Sequence, residues 1–181
     1  MTSAAPSAVL TAAAAAAPAA VPPGFRPFTG GGSDGFIAAN GPLHVLHEPG
    51  EKPLVKLGFY VEPRHCNRMS ICHGGMLATF ADMLLPIGAV LLAPELHRRF
   101  LPTVSLQLDF MRPAQLGEWV EGEMQVLRTT RQMVFAQGLV TSGGKMALRC
   151  SGVFKIGPLM ERAARPAGEK GDLGEESGSG G

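Results

Sequence analysis

Residues 72–93, CHGGMLATFADMLLPIGAVLLA, are the one long stretch of this chain with helical spacing, and nearly every position in it is apolar. Leu77, Phe80, Leu84, Ile87 and Leu91 recur at the spacing of a single helix face. Ala78, Ala81, Ala89 and Val90 leave little polarity on the other side, and Asp82 is the single charge. A helix apolar nearly all round is expected to be buried nearly all round, so the rest of the fold has to wrap it. Pro86 is expected to kink this helix or shorten it by a turn.

The wrapping reads as strands. Val104, Leu106, Leu108 and Phe110 alternate with Thr103, Ser105, Gln107 and Asp109 in strict period two. After a turn at residues 113–117, Val120, Gly122, Met124 and Val126 alternate with Trp119, Glu121, Glu123 and Gln125. Residues 133–141 make a third strand with apolar side chains on both faces. Ser142-Gly143-Gly144 is a hairpin signal before a fourth strand marked by Met146, Leu148, Cys150, Phe154 and Ile156. Upstream, residues 43–47 and 54–61 supply one or two more. The order is strand, strand, one buried helix, then an antiparallel meander, an α+β pattern in which a sheet curls around one helix. No internal repeat recurs at a fixed period.

Composition bounds the rest. The chain has 181 residues, 17% of them charged, and a formal net charge of +1, so nothing points to a nucleic-acid surface. Three cysteines (Cys66, Cys72 and Cys150) give no even disulfide framework, which suits free thiols in a reducing, cytoplasmic compartment. Residues 1–23 are alanine and proline without an early basic residue or a leucine-rich segment. They read as a disordered extension rather than a signal or transit peptide. Residues 158–181, rich in Gly, Ala, Glu and Ser, read as a solvated tail, leaving one domain over residues 24–157. No later run reads as eighteen strongly apolar residues, so no membrane span is expected.

Chemistry concentrates at the start and middle of the helix. His73-Gly74-Gly75 opens it, where glycines let backbone N–H groups approach a ligand and the helix N-terminus favours negative charge. A thioester carbonyl under attack by water becomes an oxyanion, which needs such preorganised donors. Asp82 is a lone carboxylate in an apolar setting. Burial is expected to raise its pKa, and its cost there suggests a base or nucleophile. Gly74 and Asp82 are eight residues apart, about 12 Å along the axis at ~1.5 Å per residue. One helix cannot bring both to one carbonyl, but two antiparallel helices from two subunits can, so the spacing predicts a two-fold dimer with composite sites.

The pattern Asn67, His73-Gly74-Gly75, Asp82, at spacing Asn-x5-His-Gly-Gly-x6-Asp, resembles the signature of hot-dog thioesterases of the phenylacetyl-CoA type. Residues 103–114, ending Phe-Met-Arg-Pro-Ala, are similar to that family's first long strand after the helix, and the resemblance covers residues 54–156. It implies a hot-dog fold, a homodimer assembling to a homotetramer, and hydrolysis of acyl-CoA without a metal or other cofactor. By position, Gly74 would supply the oxyanion-hole N–H and His73 would orient the helix start and the thioester. Asn67 would hold the carbonyl or the attacking water, Asp82 of the partner subunit would be base or nucleophile, and Thr103 would position the water. Gly75, Met76, Phe80 and Met83 would line the acyl site at the subunit interface. Cys72 before the histidine and Pro86 in the helix depart from the family pattern without removing a needed group.

Plainer readings stand beside these. A glycine pair can be packing, Asn67 a turn residue, His73 a structural histidine and Thr103 an ordinary strand residue. The His65-Cys66 and Cys72-His73 pairs do not match paired zinc-ligand spacing. Arg64, Arg68, Arg98, Arg99, Arg128, Arg131 and Arg149 could meet CoA phosphates or form a solvated rim. An α/β-hydrolase would need its Gly-x-Ser-x-Gly elbow set in a longer parallel sheet, which the antiparallel strand pattern does not supply. A hot-dog hydratase would carry a histidine five residues after the aspartate, where Ile87 stands. A non-catalytic acyl-CoA-binding module on the same scaffold is the alternative from another class.

Overall fold

The computed structural model of the chain describes residues 20–30 and 35–160. The expectations for the leader before residue 20 and the tail after residue 160 lie outside the described residues. Within them, seven strands form one antiparallel sheet around one long helix. The elements are β1 (Arg26–Pro27), α1 (Phe36–Asn40), β2 (His44–Glu48), β3 (Leu54–Tyr60), α2 (Gly74–Leu92), β4 (Thr103–Phe110), β5 (Trp119–Thr129), β6 (Met133–Ser142) and β7 (Lys145–Lys155). The short β1 and α1 have no counterpart in the sequence reading.

α2 packs against β3, β4, β5, β6 and β7. Its inner side carries Leu77, Phe80, Ala81, Leu84, Leu85 and Ala89, which meet Val55, Leu57, Phe59, Val120, Val134, Val140, Leu148 and Phe154 from the sheet; all are fully or almost fully buried. Close seating depends on a missing side chain. A Cβ on Gly122 of β5 would lie 2.4 Å from Leu84 Cδ2 and 3.1 Å from Phe80 Cε1. Gly143 and Gly144, with φ of 55° and 74°, turn β6 into β7 as the hairpin signal predicts.

Several expectations need correction. The sheet order is β1-β2-β3-β5-β6-β7-β4, so the four strands after the helix are not a simple meander. β5, β6 and β7 are, but β4 pairs with β7 at the far edge, and β5 inserts beside β3. Second, the period-two reading of β4 fails at its start. Thr103 pairs with Phe154 and Ser105 with Val153, leaving Val104 as an extra, bulged residue. Leu106 and Leu108 pack towards the core while Val104 and Phe110 are more than half exposed. Third, Pro86 does not shorten α2, which continues to Leu92. Fourth, α2 is long and apolar enough by length and composition to cross a membrane. Its apolarity here serves the core.

α2 is not buried all round. Gly75, Ala78, Thr79, Asp82, Pro86 and Val90, three or four residues apart, form a stripe left partly or wholly exposed. The sheet covers the opposite side, while among the described residues this one stays open to solvent. The described residues after β7 fold back on the chain. Phe100 N–H donates to Pro158 O and Met160 N–H to Arg98 O, tying the last described residues to the segment before β4.

Candidate active site

The helix entry is built by a tight hairpin over residues 66–72. Asn67 N–H donates to Ile71 O (2.9 Å) and His73 N–H to His65 O (2.8 Å), so Cys66 and Cys72 face each other between these bonds. Asn67 Oδ1 accepts the Met69 N–H at 2.8 Å, an Asx turn that helps hold Ser70 at φ 55°. The turn role of Asn67 is thus real, and its amide NH₂ is left to donate elsewhere.

His73 is the N-cap of α2. Its Nδ1 accepts the Gly75 N–H at 2.9 Å, and its carbonyl takes the N–H groups of Met76 and Leu77. The Gly74 N–H has no acceptor among the described residues. Of the two glycine amides, His73 occupies that of Gly75 and leaves that of Gly74 open. Gly74 is solvent-exposed and its Cα faces the exposed ring of Phe110. An unpaired N–H in the first turn of a 19-residue helix is a ready donor to an oxyanion.

Two turns along, Asp82 lies half-buried in the exposed stripe rather than enclosed. Thr103 Oγ1 donates to its Oδ1 at 2.7 Å. The bulge at Val104 explains how: an unbroken alternation would put Thr103 on the face opposite Leu106, and the extra residue turns it towards the helix. Pro86, one turn on, has no N–H, so the main-chain carbonyl of Asp82 also lacks its usual helical partner.

The chain therefore carries two half-sites. Asn67, His73 and Gly74 form one, Asp82 and Thr103 the other, and the helix keeps Gly74 and Asp82 about 12 Å apart. The residues expected to line the acyl site at a subunit interface differ in exposure within one chain. Phe80 is fully buried, its ring 5.0 Å from that of Phe59, so in a single chain it is a core residue rather than a pocket wall. Met76 and Met83 are 7% exposed, and Gly75 lies open on the stripe.

Sequence reasoning missed what holds the first half-site in place. The connection after β4 runs back beside the hairpin, with Cys72 N–H donating to Ala114 O (2.8 Å) and Leu116 N–H to Ser70 O (3.3 Å). It is clamped by Arg112, whose two guanidinium nitrogens meet the Glu118 carboxylate at 2.9 and 3.2 Å and whose Nη1 also reaches Ser142 O at 2.9 Å. Ser142 Oγ and the Gln115 N–H donate to the same carboxylate at 2.6 and 3.0 Å. The Phe-Met-Arg-Pro-Ala run held the available signal, an arginine beside a turn in a chain of few charges. His65 sits behind the hairpin, buried edge-on to Phe59, its Nδ1 accepting the Glu62 N–H at 3.0 Å. Burial, with Arg64 beside it, lowers its pKa, which favours the neutral ring that this acceptor role requires.

The hydrogen bond from Arg112, aided by those from Gln115 and Ser142, holds the Glu118 carboxyl down at about 2 against an ordinary 4.5. A depressed folded-state pKa contributes stability above the unfolded value and loses it as pH falls towards the folded one. Glu118→Gln should therefore cost about 2 kcal/mol at pH 7. The deficit should shrink as pH falls from 4.5 towards 2. Urea unfolding of both proteins at pH 7 and pH 3 checks this, and a pH-independent deficit would contradict it.

Residues 69–148 match the model of the thioesterase superfamily. The "Putative esterase PA0474" of Pseudomonas aeruginosa is 31% identical over 136 residues, which cover 75% of this chain and 97% of that protein. Among solved structures, zebra fish thioesterase superfamily member 2 aligns with a TM-score of 0.58 at 26% identity, over 69% of this chain and 90% of that one. A mutant of the phenylacetic acid degradation protein PaaI from Thermus thermophilus aligns at 0.55 over 67% and 97%. At 24% identity that likeness concerns the fold.

Proposed function

The chain belongs to the thioesterase superfamily and has its hot-dog fold, and from that premise we propose that it hydrolyses acyl-CoA thioesters at sites shared between two subunits. The observation that carries this reading is the pair of half-sites on α2: an open Gly74 N–H at its start and a Thr103-bonded Asp82 two turns on.

Antiparallel packing of two copies of α2 along their exposed stripes would bring Gly74 of one chain beside Asp82 of the partner subunit. The thioester carbonyl would point at the Gly74 N–H, with the Asn67 amide as a further donor and His73 fixing the turn. Asp82 would take a proton from water as the water attacks the carbonyl carbon, while Thr103 holds the carboxylate in register. The tetrahedral intermediate then collapses with loss of the CoA thiolate, which acquires a proton. Met76 and Met83, at the margin of the core beside the stripe, would meet the acyl group. Exposed Leu127, Phe135, Leu139 and Met146 on the outer face of the sheet supply an apolar surface for pairing dimers into a tetramer.

The test is release of free CoA thiol from short, long and aromatic acyl-CoAs by the purified protein. Catalytic turnover of at least one class is the expected result. Saturable binding of acyl-CoA without thiol release across the panel would replace this reading with a ligand-binding module.

A further inference from the structure

We propose that Cys66 and Cys72 form a disulfide-modification site that closes the hairpin carrying Asn67 and leading into His73. The two cysteines face each other as an antiparallel pair, and the bonds around them define which kind. Asn67 N–H donates to Ile71 O and His73 N–H to His65 O, whereas the cysteines exchange no bond themselves. That is the non-hydrogen-bonded type of pair, in which Cα atoms lie about 4.5 Å apart and side chains project from the same face. Disulfides span Cα separations of about 4.4–6.8 Å, so closure needs rotation of two thiols and little backbone movement.

The two sulfurs differ in access. Cys66 is partly exposed and its thiol donates to Glu62 O at 3.4 Å, whereas Cys72 is 4% exposed. An oxidant therefore meets Cys66 first. With glutathione disulfide, the Cys66 thiolate attacks one sulfur, expels one glutathione thiolate and leaves a mixed disulfide. The Cys72 thiolate then attacks the Cys66 sulfur and expels the second. Two electrons pass from the cysteine pair to glutathione, and the two thiol protons end on two glutathione thiols. Burial raises the Cys66 thiol, and burial together with neighbouring Cys66 pushes Cys72 up to about 12. The exchange is therefore slow at neutral pH and accelerates as pH rises.

Closure moves the site as well as the sulfurs. Drawing Cys66 Sγ towards Cys72 breaks its bond to Glu62 O, in the turn whose His65 carbonyl holds the His73 N–H. A shift there displaces the Gly74 N–H. This effect on turnover rests on the thioesterase reading, whereas formation of the bond does not.

The experiment treats the full chain with glutathione disulfide at pH 8.5, quenches with acid and maps the peptides by mass. Wild type should lose two titratable thiols, yield a Cys66–Cys72 linked peptide, keep Cys150 free, and lose about tenfold in turnover, restored by dithiothreitol. Cys66→Ser, and independently Cys72→Ala, should keep the reduced wild-type rate and form no internal link. Stable glutathione on Cys66, links between chains, or both thiols still free in wild type would overturn the site. A linked peptide with unchanged turnover would overturn its coupling to Gly74. A reduced protein that links normally but never turns over acyl-CoA counts against the thioesterase reading instead.

Discussion

Asp82→Ala is expected to lower acyl-CoA turnover by about a hundredfold or more, the loss that removal of the proposed general base would bring, while the protein should unfold at nearly the wild-type denaturant midpoint. Both halves of this outcome follow from where Asp82 sits. It is partly exposed on the stripe of α2 that the sheet leaves uncovered, so its removal opens no cavity in the core. Its one side-chain partner among the described residues is Thr103, whose hydroxyl can turn to water once the carboxylate is gone. Thiol release under saturating substrate, paired with urea unfolding, separates the two quantities. A variant with intact turnover would keep a thioesterase and displace its base, whereas a large stability loss would recast Asp82 as structural.

Gly74→Pro tests the other half-site by deleting a single hydrogen-bond donor. Gly74 is the first residue of α2, the position where a helix accepts proline because that N–H has no helical partner. His73 before it has φ −61° and ψ 136°, the extended conformation that a following proline demands. Substitution here should leave the helix and its cap intact while removing the proposed oxyanion donor. Loss of one such donor costs about 10²–10³ in kcat. Gly74→Ala, which keeps the N–H, is the control, since a Cβ there meets Phe110 at an ordinary 3.6 Å. An active proline variant would remove Gly74 from the mechanism. Equal losses in both variants would point to crowding instead of a missing donor.

How much of this was legible in the sequence depended on how local each cause is. The extent of α2 follows from spacing within itself, and the β6–β7 hairpin from Gly143-Gly144 between two apolar runs. The place of β4 beside β7 is set by pairing across some forty residues, which alternation cannot report. The bulge was hidden for a different reason: Val104 completes a flawless alternation, and no glycine marks the break. Period two therefore set Thr103 among the outward residues, and only the resemblance to hot-dog thioesterases singled it out. The Arg112–Glu118–Ser142 clamp joins a turn to the end of a distant strand, and no motif connects those three positions. Exposure of the Asp82 stripe could not be read from a helix apolar all round, because such a sequence satisfies a sheet on one side and a second helix on the other equally well.

The unpaired edge of β4 has a practical meaning for anyone measuring rates. Along one side the strand bonds to β7, and along the other no strand among the described residues pairs with it, with Val104 and Phe110 exposed beside it. On the shared-site reading proposed above, a second chain that meets the α2 stripe and closes this edge would bring the catalyst under mass action. Its specific activity would then fall on dilution, its melting temperature would climb with protein concentration, and rates taken at nanomolar and micromolar enzyme would describe different populations of the same polypeptide.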